Sequence, residues 1–229
     1  MRASARASIV DVDGTLVDTN YHHALAWYRA FREREIVIPL ATLHRHVGMG
    51  GDKYVAAVAG DEVEERHGDD LRDRWEQLFD EVIGEIAPLP GAHELLRALK
   101  DAGLTVVIAS SSIEKHLDPM LDLVGAREIV DGWTKKDDVD ESKPHPELVQ
   151  VALERAGTRE AFMVGDTTWD VEAAERAGIP TLAVSTGGFG RDELEGAGAV
   201  GVFDSAADLA RNLQTALDRT VAAALGSKN

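Results

Sequence analysis

Acidic side chains follow the first predicted strand of this chain at a spacing that suits metal binding and nucleophilic chemistry. The apolar run Ala7–Val12 ends in the polar string Asp11-Val12-Asp13-Gly14-Thr15, which is typical of a buried strand that runs into a glycine turn. Side chains two residues apart share a face of a strand. We therefore expect the carboxylates of Asp11 and Asp13 on the same face.

Further polar residues follow later apolar runs or open the helices behind them. These residues are Ser110, Lys143, Asp166 and Asp170. Ligands of an open parallel sheet bind at the carboxyl ends of its strands. If the strands are neighbours, the four carboxylates, the hydroxyl and the ammonium share one crevice.

Such a cluster predicts a particular chemistry. Four carboxylates repel one another, and a single lysine does not offset their charge. A bound divalent cation would offset the remaining negative charge. An all-oxygen set of ligands favours Mg²⁺ over metals that prefer sulfur. Cation, lysine and hydroxyl together would also bind a phosphoryl group and spread its charge. An aspartate beside that group could act as nucleophile and form an aspartyl-phosphate.

The elements behind these residues predict an α/β fold. After Pro88 short apolar runs alternate with helical patterns, as in parallel strands that are covered on both faces. Right-handed crossovers then give a doubly wound, Rossmann-like parallel sheet. The predicted helices cover residues 92–102, 113–124, 144–156, 168–177, about 192–196 and 205–224, and the predicted later strands cover residues 104–109, part of 129–133, 161–164, 181–184 and 199–203.

Residues 20–87 have a different pattern. Apolar residues recur there at helical spacing, for example along a stripe from Leu71 to Ile86, and no strand pattern interrupts them. The sequence therefore predicts an inserted all-helical domain of four or five helices over residues 20–87. Residues 1–19 and 88–229 would form the core.

Composition excludes several classes of protein. The 229 residues include 24 Lys and Arg against 41 Asp and Glu, a net charge of −17. Without clustered basic residues we expect no nucleic-acid partner. No apolar stretch approaches the roughly 18 residues of a membrane span, so we expect no membrane partner. The chain has no cysteine, which excludes disulfides, thiolate metal sites and a cysteine nucleophile, and fits a cytoplasmic protein.

Four motifs resemble those of the haloacid dehalogenase superfamily of hydrolases. They are DVDGTLVDT at 11–19, the serine after LTVVIA, SKPHP at 142–146 and VGDTTWD at 164–170, in the family's order. Their joint occurrence is far more specific than any single string. The resemblance covers the core, and the position of the helical insertion matches a cap domain of the family. Among its members, the chain most resembles those like phosphoglycolate phosphatase and β-phosphoglucomutase, with a helical cap.

The resemblance implies a catalytic role for each core residue. Asp11 would be the nucleophile. Asp13 would protonate the leaving oxygen and then deprotonate the attacking water, and neighbouring negative charge would favour the proton that this role needs. Ser110 would bind the phosphoryl oxygens, and Lys143 would neutralise both Asp11 and the phosphate.

The resemblance also implies a set of Mg²⁺ ligands. The Asp11 carboxylate, the Asp13 backbone carbonyl and Asp166 would hold the ion, and Asp170 would act behind them or through water. Dehalogenases of the family lack an aspartate two residues after the nucleophile, so Asp13 favours phosphate chemistry over dehalogenation.

The function predicted in this way is Mg²⁺-dependent hydrolysis of a small phosphorylated metabolite, a phosphomonoester, through an aspartyl-phosphate. A sugar phosphomutase of the β-phosphoglucomutase type would share all the core residues. A phosphonoacetaldehyde hydrolase would need a cap lysine, for which Lys53 is a possible residue in a poorly matching context. A non-catalytic binding module is disfavoured because no chemical residue is missing.

Other polar residues are candidates for contact with the substrate or for helix capping. The candidates for contact with the substrate are Ser111, Arg45, His46 and Lys53. Ser112 and Asp18 are expected to cap helices. His22 and His23 follow Asp18 closely and could face the cleft, but surface or partly buried positions are favoured.

Overall fold

A six-stranded parallel sheet confirms the α/β prediction. The structure, a computed structural model, describes residues 5–226; the outermost predicted core residues, 1–4 and 227–229, lie outside that range. The strands are β1 (Ala7–Val10), β2 (Thr105–Ala109), β3 (Gly132–Thr134), β4 (Ala161–Gly165), β5 (Thr181–Val184) and β6 (Gly201–Phe203). Their order in the sheet is β3-β2-β1-β4-β5-β6.

The segment that follows β1 is helical, as predicted. It contains α1 (Asn20–Glu33), α2 (Leu40–His46), α3 (Gly51–Ala59) and α4 (Asp61–Asp80). Buried aromatic rings hold these helices together, since Trp27 stacks on Tyr54 and on Trp75 at centroid distances of 4.5 and 5.2 Å. The apolar stripe was predicted to extend to Ile86, but α4 ends at Asp80. A short 3-10 helix (Ile83–Glu85) follows before the chain returns to the sheet.

The two backbone segments that connect the sheet to the helical segment pair with each other. Val17 and Pro88 form an antiparallel bridge. Beside it, the Asp18 amide donates to Ala87 O at 2.9 Å and the Leu89 amide donates to Leu16 O at 2.8 Å. Helices α1–α4 therefore join the sheet at one narrow crossing.

Helices cover both faces of the sheet. The later helices are α5 (Ala92–Asp101), α6 (Glu114–Leu123), α7 (Glu147–Ala156), α8 (Thr168–Ala177), α9 (Arg191–Gly196), α10 (Ala206–Arg211) and α11 (Leu213–Gly226). Val10 and Ile108 belong to one buried cluster with Leu95, whereas Ile9 belongs to another with Leu148. All four residues of β1 are buried, as expected of a central parallel strand.

Several predicted boundaries shift for local reasons. The single helix predicted over 205–224 is two helices, since α10 ends at Arg211 and α11 begins at Leu213. Asn212 lies between them and donates its side-chain amide to Asp208 O at 2.9 Å. Helix α7 begins at Glu147 instead of 144, since Pro146 disfavours helical geometry in the residue before it. Strand β3 begins at Gly132, within the later part of the predicted range. No helix described between residues 5 and 226 is long and apolar enough to cross a bilayer.

Candidate active site at the carboxyl edge of the sheet

The strand order brings the predicted residues to one place. Strand β1 pairs with β2 on one side and with β4 on the other, so the loops that follow these strands lie side by side. Asp11 follows β1, Ser110 follows β2 and Asp166 follows β4. The strand order reverses between β1 and β4, which is where open α/β sheets bind their ligands.

Three buried carboxylates and one lysine form the centre of this site. Asp11, Asp166 and Asp170 each place a carboxylate oxygen within 4.8 Å of the other two. Their exposed fractions are 5%, 0% and 1%. Lys143 Nζ lies 2.7 Å from Asp170 Oδ1 and makes a close ion pair with Asp11 Oδ1. The cluster therefore has three carboxylates and one ammonium, which contacts two of them.

The titration of these groups reflects that imbalance. Burial raises the pKa of Asp11 to about 7, although the charge of Lys143 opposes the rise. Burial, together with the charges of Asp170 and Asp11, also raises the pKa of Asp166 well above its ordinary value. Burial alone would lower the pKa of Lys143, but the two neighbouring carboxylates hold it above its usual range. The acids are thus only partly compensated by the protein itself.

The cluster fits a hard divalent cation. Its donors are all carboxylate oxygens, which suit such ions, and a cation would offset the charge that Lys143 leaves uncompensated. The residues that would hold it by their side chains are Asp11, Asp166 and Asp170. The Asp13 carboxylate is turned to other partners, so only its backbone carbonyl, the atom that the resemblance implied, remains a candidate ligand.

Asp170 has a structural role as well as a place in the cluster. Its Oδ2 accepts hydrogen bonds from Thr167 Oγ1 at 2.7 Å and from the Thr167 amide at 3.1 Å. Thr167 Oγ1 in turn accepts from the Asp170 amide and caps α8. With Oδ2 occupied in this way, Oδ1 is the oxygen that faces Lys143.

Asp166 lies in a tight pocket formed by three segments. Thr15 Oγ1 donates to Asp166 Oδ1 at 2.8 Å, and Asn20 Nδ2 donates to Asp166 Oδ2 at 2.7 Å. A Cβ atom at Gly14 or at Gly187 would lie 2.3 or 1.6 Å from Asp166 Oδ2. Only glycine therefore fits beside this carboxylate at those two positions. Thr15, Asn20 and Gly187 were not identified as site residues from the sequence.

Asp13 has surroundings different from those of the cluster. Its Oδ1 accepts from Thr19 Oγ1 at 2.7 Å and lies 3.0 Å from His23 Nε2, while Oδ2 accepts from Ser112 Oγ at 3.2 Å. Although burial opposes it, the hydrogen bond and charge of His23, with the bond from Thr19, lower the pKa of Asp13 to about 2. We expected neighbouring negative charge to favour a proton on Asp13, and the structure has the opposite shift.

His23 was not identified as a site residue from the sequence. It is 8% exposed, and its ring stacks on Phe79 at a centroid distance of 4.0 Å. Thr19 and His23 are four residues apart, which places both on one face of the first helical turn. That spacing, next to the DVDGT motif, is the signal that could have revealed the pair.

The three serines after β2 have different hydrogen-bond partners, and Ser112 differs from its predicted role. Ser110 is buried, its amide donates to Thr134 Oγ1, and its Oγ accepts from the Ser112 amide at 3.1 Å. Ser112 was expected to cap the next helix, but the residue that precedes α6 is Ile113, without a side-chain cap. Ser112 is instead a hydrogen-bond donor to Asp13. Ser111 lies between them and is partly exposed.

Asp18 does not cap α1. Thr19 precedes that helix, without a side-chain cap bond, and its hydroxyl donates to Asp13. The expectation of a capping role for Asp18 was therefore wrong.

The two cations predicted to contact substrate have partners in the core. Arg45 forms a close ion pair with Glu193, and its guanidinium lies 4.1 Å from the Phe189 ring centroid. Lys53 Nζ lies 3.0 Å from Glu141 Oε2 and donates to Ser142 O at 3.3 Å. Both residues thus link the helical segment to loops of the core.

His46 lies beside a core residue at the edge of the site. Its ring centroid is 6.0 Å from that of Trp169, and the Trp169 Nε1 atom donates to Arg45 O at 3.2 Å. The Nδ1 atom of His46 is paired with Thr42 O at 2.8 Å. Helix α2 is therefore attached to the final VGDTTWD motif by an aromatic contact and a hydrogen bond.

Two curated proteins are similar to this chain over most of its length. The chain is 30% identical over 195 residues to the probable phosphatase IndB of Dickeya dadantii, covering 82% of this chain and 85% of that protein. It is 32% identical over 188 residues to the pyrophosphatase PpaX of Bacillus velezensis, covering 78% and 82%.

Solved structures show the same architecture. A hydrolase from Pseudomonas syringae matches with a TM-score of 0.85 and 30% identity, over 91% of this chain and 98% of that one. A putative β-phosphoglucomutase from Bacteroides vulgatus matches with a TM-score of 0.84 and 26% identity, over 95% and 91%.

A family model covers most of the residues discussed above. The description of that model is haloacid dehalogenase-like hydrolase, and it matches residues 5–178. This range includes the four motifs and the helical insertion. The predictions of the family, of the Rossmann-like fold and of an enzyme are confirmed: the chain belongs to the haloacid dehalogenase-like hydrolases.

Proposed function

We propose that this hydrolase is a Mg²⁺-dependent phosphatase that cleaves a small phosphomonoester through an aspartyl-phosphate on Asp11. That the chain is a phosphatase of its family rests on the family match and on relatives that are named as phosphatases. The observation that carries the mechanism is the position of Asp11, which is paired with Lys143 and lies within one oxygen cluster with Asp166 and Asp170. We further propose that the substrate is a phosphorylated metabolite of the cytoplasm.

Asp11 supplies the nucleophile. One of its carboxylate oxygens attacks phosphorus, the bond from phosphorus to the ester oxygen breaks, and the aspartyl-phosphate forms. Lys143 contacts the same carboxylate and offsets negative charge during transfer. A bound Mg²⁺ would supply further charge neutralisation for the carboxylates and the phosphoryl oxygens. In the second step water attacks phosphorus, the aspartyl oxygen–phosphorus bond breaks, and phosphate leaves.

Asp13 moves the protons of both steps. It gives a proton to the departing ester oxygen and takes one from the attacking water, so it is regenerated in each cycle. Its low pKa of about 2 means that the carboxylate is ionised before substrate binds. An anionic phosphoryl group beside it would raise that pKa and favour proton uptake. Ser112, Thr19 and His23 hold the carboxylate in place meanwhile.

Ser110 binds a phosphoryl oxygen. Its Oγ already accepts a hydrogen bond from the Ser112 amide, so the hydroxyl proton is available for donation to the substrate. Its burial beside the end of β2 keeps that donor in one position, as a transition-state contact requires.

Helices α1–α4 act as a cap over the site. We propose that residues 20–87 form this cap domain on a core of residues 1–19 and 88–229. The single crossing at Val17 and Pro88 supports a hinge there. Arg45 and Lys53 hold the closed arrangement through Glu193 and Glu141. Ser111 and His46 are then the better candidates for contact with the substrate itself.

A sugar phosphomutase is the second candidate. It is supported by the similarity to the Bacteroides vulgatus protein whose name includes β-phosphoglucomutase. Incubation with a hexose 1-phosphate and a trace of the bisphosphate separates the two activities, because a mutase forms the 6-phosphate isomer and a phosphatase releases inorganic phosphate. A Schiff base on Lys53, as in phosphonoacetaldehyde hydrolysis, is disfavoured because its amine is engaged by Glu141 Oε2 and Ser142 O.

The proposal is tested with a panel of phosphorylated metabolites, with and without Mg²⁺. Release of phosphate only with Mg²⁺, and a loss of about 10³-fold or more in Asp11→Asn, would support it. Asp101→Asn, an exposed aspartate at the end of α5, is the matched control. Full turnover in Asp11→Asn would exclude the covalent mechanism.

A further inference from the structure

Asn20 connects the helical segment to the proposed cation site. It is the first residue of α1 and is 2% exposed. Its Nδ2 donates to Asp166 Oδ2 at 2.7 Å and to Gly187 O at 3.3 Å. Its Oδ1 is buried without a hydrogen-bond partner among the described residues. The Asn20 side chain therefore acts here as a hydrogen-bond donor, and its acceptor oxygen has no partner among the described residues.

The orientation of the amide follows from its neighbours. Exchanging Oδ1 and Nδ2 would bring the amide oxygen against the Asp166 carboxylate and against a backbone carbonyl, both of which only accept hydrogen bonds. The nitrogen must face them. A buried polar atom without a partner is uncommon in folded proteins, and here the contact with Asp166 accounts for it.

Asn20 and Thr15 together fix Asp166. Each gives one hydrogen bond to a different oxygen of the carboxylate. Gly14 and Gly187 close the remaining space, because a Cβ atom on either would lie within 2.3 Å of Oδ2. The carboxylate thus has a defined rotation, and each oxygen keeps a lone pair for a further partner.

We propose that Asn20 is a positioning residue for Asp166, so that the cation affinity of the site depends on the first turn of α1. The inference deepens the proposed function and rests on it in taking the three acids as a cation site. Donors that orient a ligating side chain commonly change metal affinity by about 10- to 100-fold when they are removed.

A second contact extends this dependence to α2. His44 Nε2 lies 2.9 Å from Gly187 O, the same carbonyl that Asn20 contacts. The loop after β5 is therefore bonded to α1 and α2 at one atom. By linkage, a cation that binds better to the oriented Asp166 also favours the arrangement in which α1 holds it.

The test is titration calorimetry with MgCl₂ on the full chain. Asn20→Ala is expected to weaken Mg²⁺ binding about 10-fold or more while the Tm measured in EDTA stays near that of the unsubstituted protein. Asn212→Ala is the matched control, because Asn212 also donates to an aspartate at a helix end, with 3.0 Å to Asp208 Oδ1, but lies outside the site. It should leave Mg²⁺ binding unchanged.

Two further variants keep the inference falsifiable if Asn20→Ala does not fold. Asn20→Ser keeps a small polar residue whose hydroxyl is too short to reach Asp166, and should show the same loss of affinity. Thr15→Val removes the other donor and should also weaken binding, since both act on one carboxylate.

The outcomes separate the inference from the function. Unchanged Mg²⁺ affinity in folded Asn20 variants, with metal-dependent phosphatase activity intact, would overturn the role of Asn20 alone. Absence of Mg²⁺ binding in the unsubstituted protein would overturn both proposals. Weakened binding in Asn212→Ala to the same extent would show a general effect of the substitution and would also refute the specific role.

Discussion

The Nε2 atom of His23 lies 3.0 Å from Oδ1 of Asp13, which joins the first helix of the inserted segment to a carboxylate at the edge of the sheet. The histidine ring is itself held by stacking on Phe79, a residue of α4. The protonation of Asp13 therefore depends on how the helical segment packs against the core.

Removal of His23 should change the pH dependence of the reaction. In His23→Ala the pKa of Asp13 should rise from about 2, because the hydrogen bond and the positive charge that favour its ionised form are lost. The limb of the kcat/KM profile on which activity falls as Asp13 loses its proton should move to higher pH. Activity should still fall by about 10-fold, less than general acid–base catalysis supplies as a whole, because the contact that orients the Asp13 carboxylate is lost.

His22→Ala is the control for that variant, since it changes the adjacent histidine of α1. Its profile should resemble that of the unsubstituted enzyme. An unchanged position of the Asp13 limb in folded His23→Ala would contradict the assigned effect on Asp13.

Lys143 should matter for stability as well as for activity. Lys143→Met leaves Asp11 and Asp170 without their buried ammonium. Breaking a buried ion pair by removing one partner costs about 3–5 kcal/mol, and the free energy of unfolding measured in urea at pH 7 should fall by that order. Phosphatase activity should be lost.

Lys115→Met provides the comparison for Lys143→Met. Lys115 also pairs with an aspartate, Asp80, but its side chain is 58% exposed. Water screens such pairs, so its removal should change the unfolding free energy little. Equal losses in the two variants would argue against a special electrostatic role for Lys143.

The space around Asp166 should not tolerate a methyl group. A Cβ at Gly187 would lie 1.6 Å from Asp166 Oδ2, so Gly187→Ala must displace the carboxylate or the loop. We expect a loss of Mg²⁺ binding and of activity, measured by calorimetry and phosphate release. Gly196→Ala is the control, since nothing lies within 4 Å of the added atom, and it should retain Mg²⁺ binding and activity. Normal activity in Gly187→Ala would show that the loop can move to accommodate the methyl group.

Stability of the cation-free protein should fall as the pH rises. The pKa of Asp11 is about 7 in the fold against 3.8 ordinarily, so the native state holds an extra proton between these values. Its stability therefore falls as pH rises through that range and levels off above about 7. Urea unfolding in EDTA between pH 4 and about 8 should show this decline, and excess Mg²⁺ should reduce it.

Asp11→Asn should reduce that pH dependence, because one of the two acids with a raised pKa is gone, and Asp166 should account for the decline that remains. Asp13 acts in a separate range, since its lowered pKa contributes stability above 3.8 that is lost as pH falls towards about 2. A decline of the same size in Asp11→Asn would assign the effect to another group.

Local sequence pattern was sufficient to predict the sheet, the helical insertion and the main acids of the site. Short apolar runs identify parallel strands from local pattern alone. Because parallel strands share one carboxyl edge, residues directly after them are brought together whatever the details of packing. The shared edge is why the sequence could predict one site that contains Asp11, Ser110, Lys143, Asp166 and Asp170.

The hydrogen-bond and ion-pair partners of those residues could not be predicted in the same way. Asn20 and Asp166 are separated by 146 positions, and their contact depends on how α1 returns to the sheet, which no local periodicity encodes. The same holds for the pairing of His23 with Asp13 and for the ion pairs that occupy Arg45 and Lys53. Local pattern determines which groups reach an edge, whereas packing between distant segments determines how each is oriented and which proton it holds.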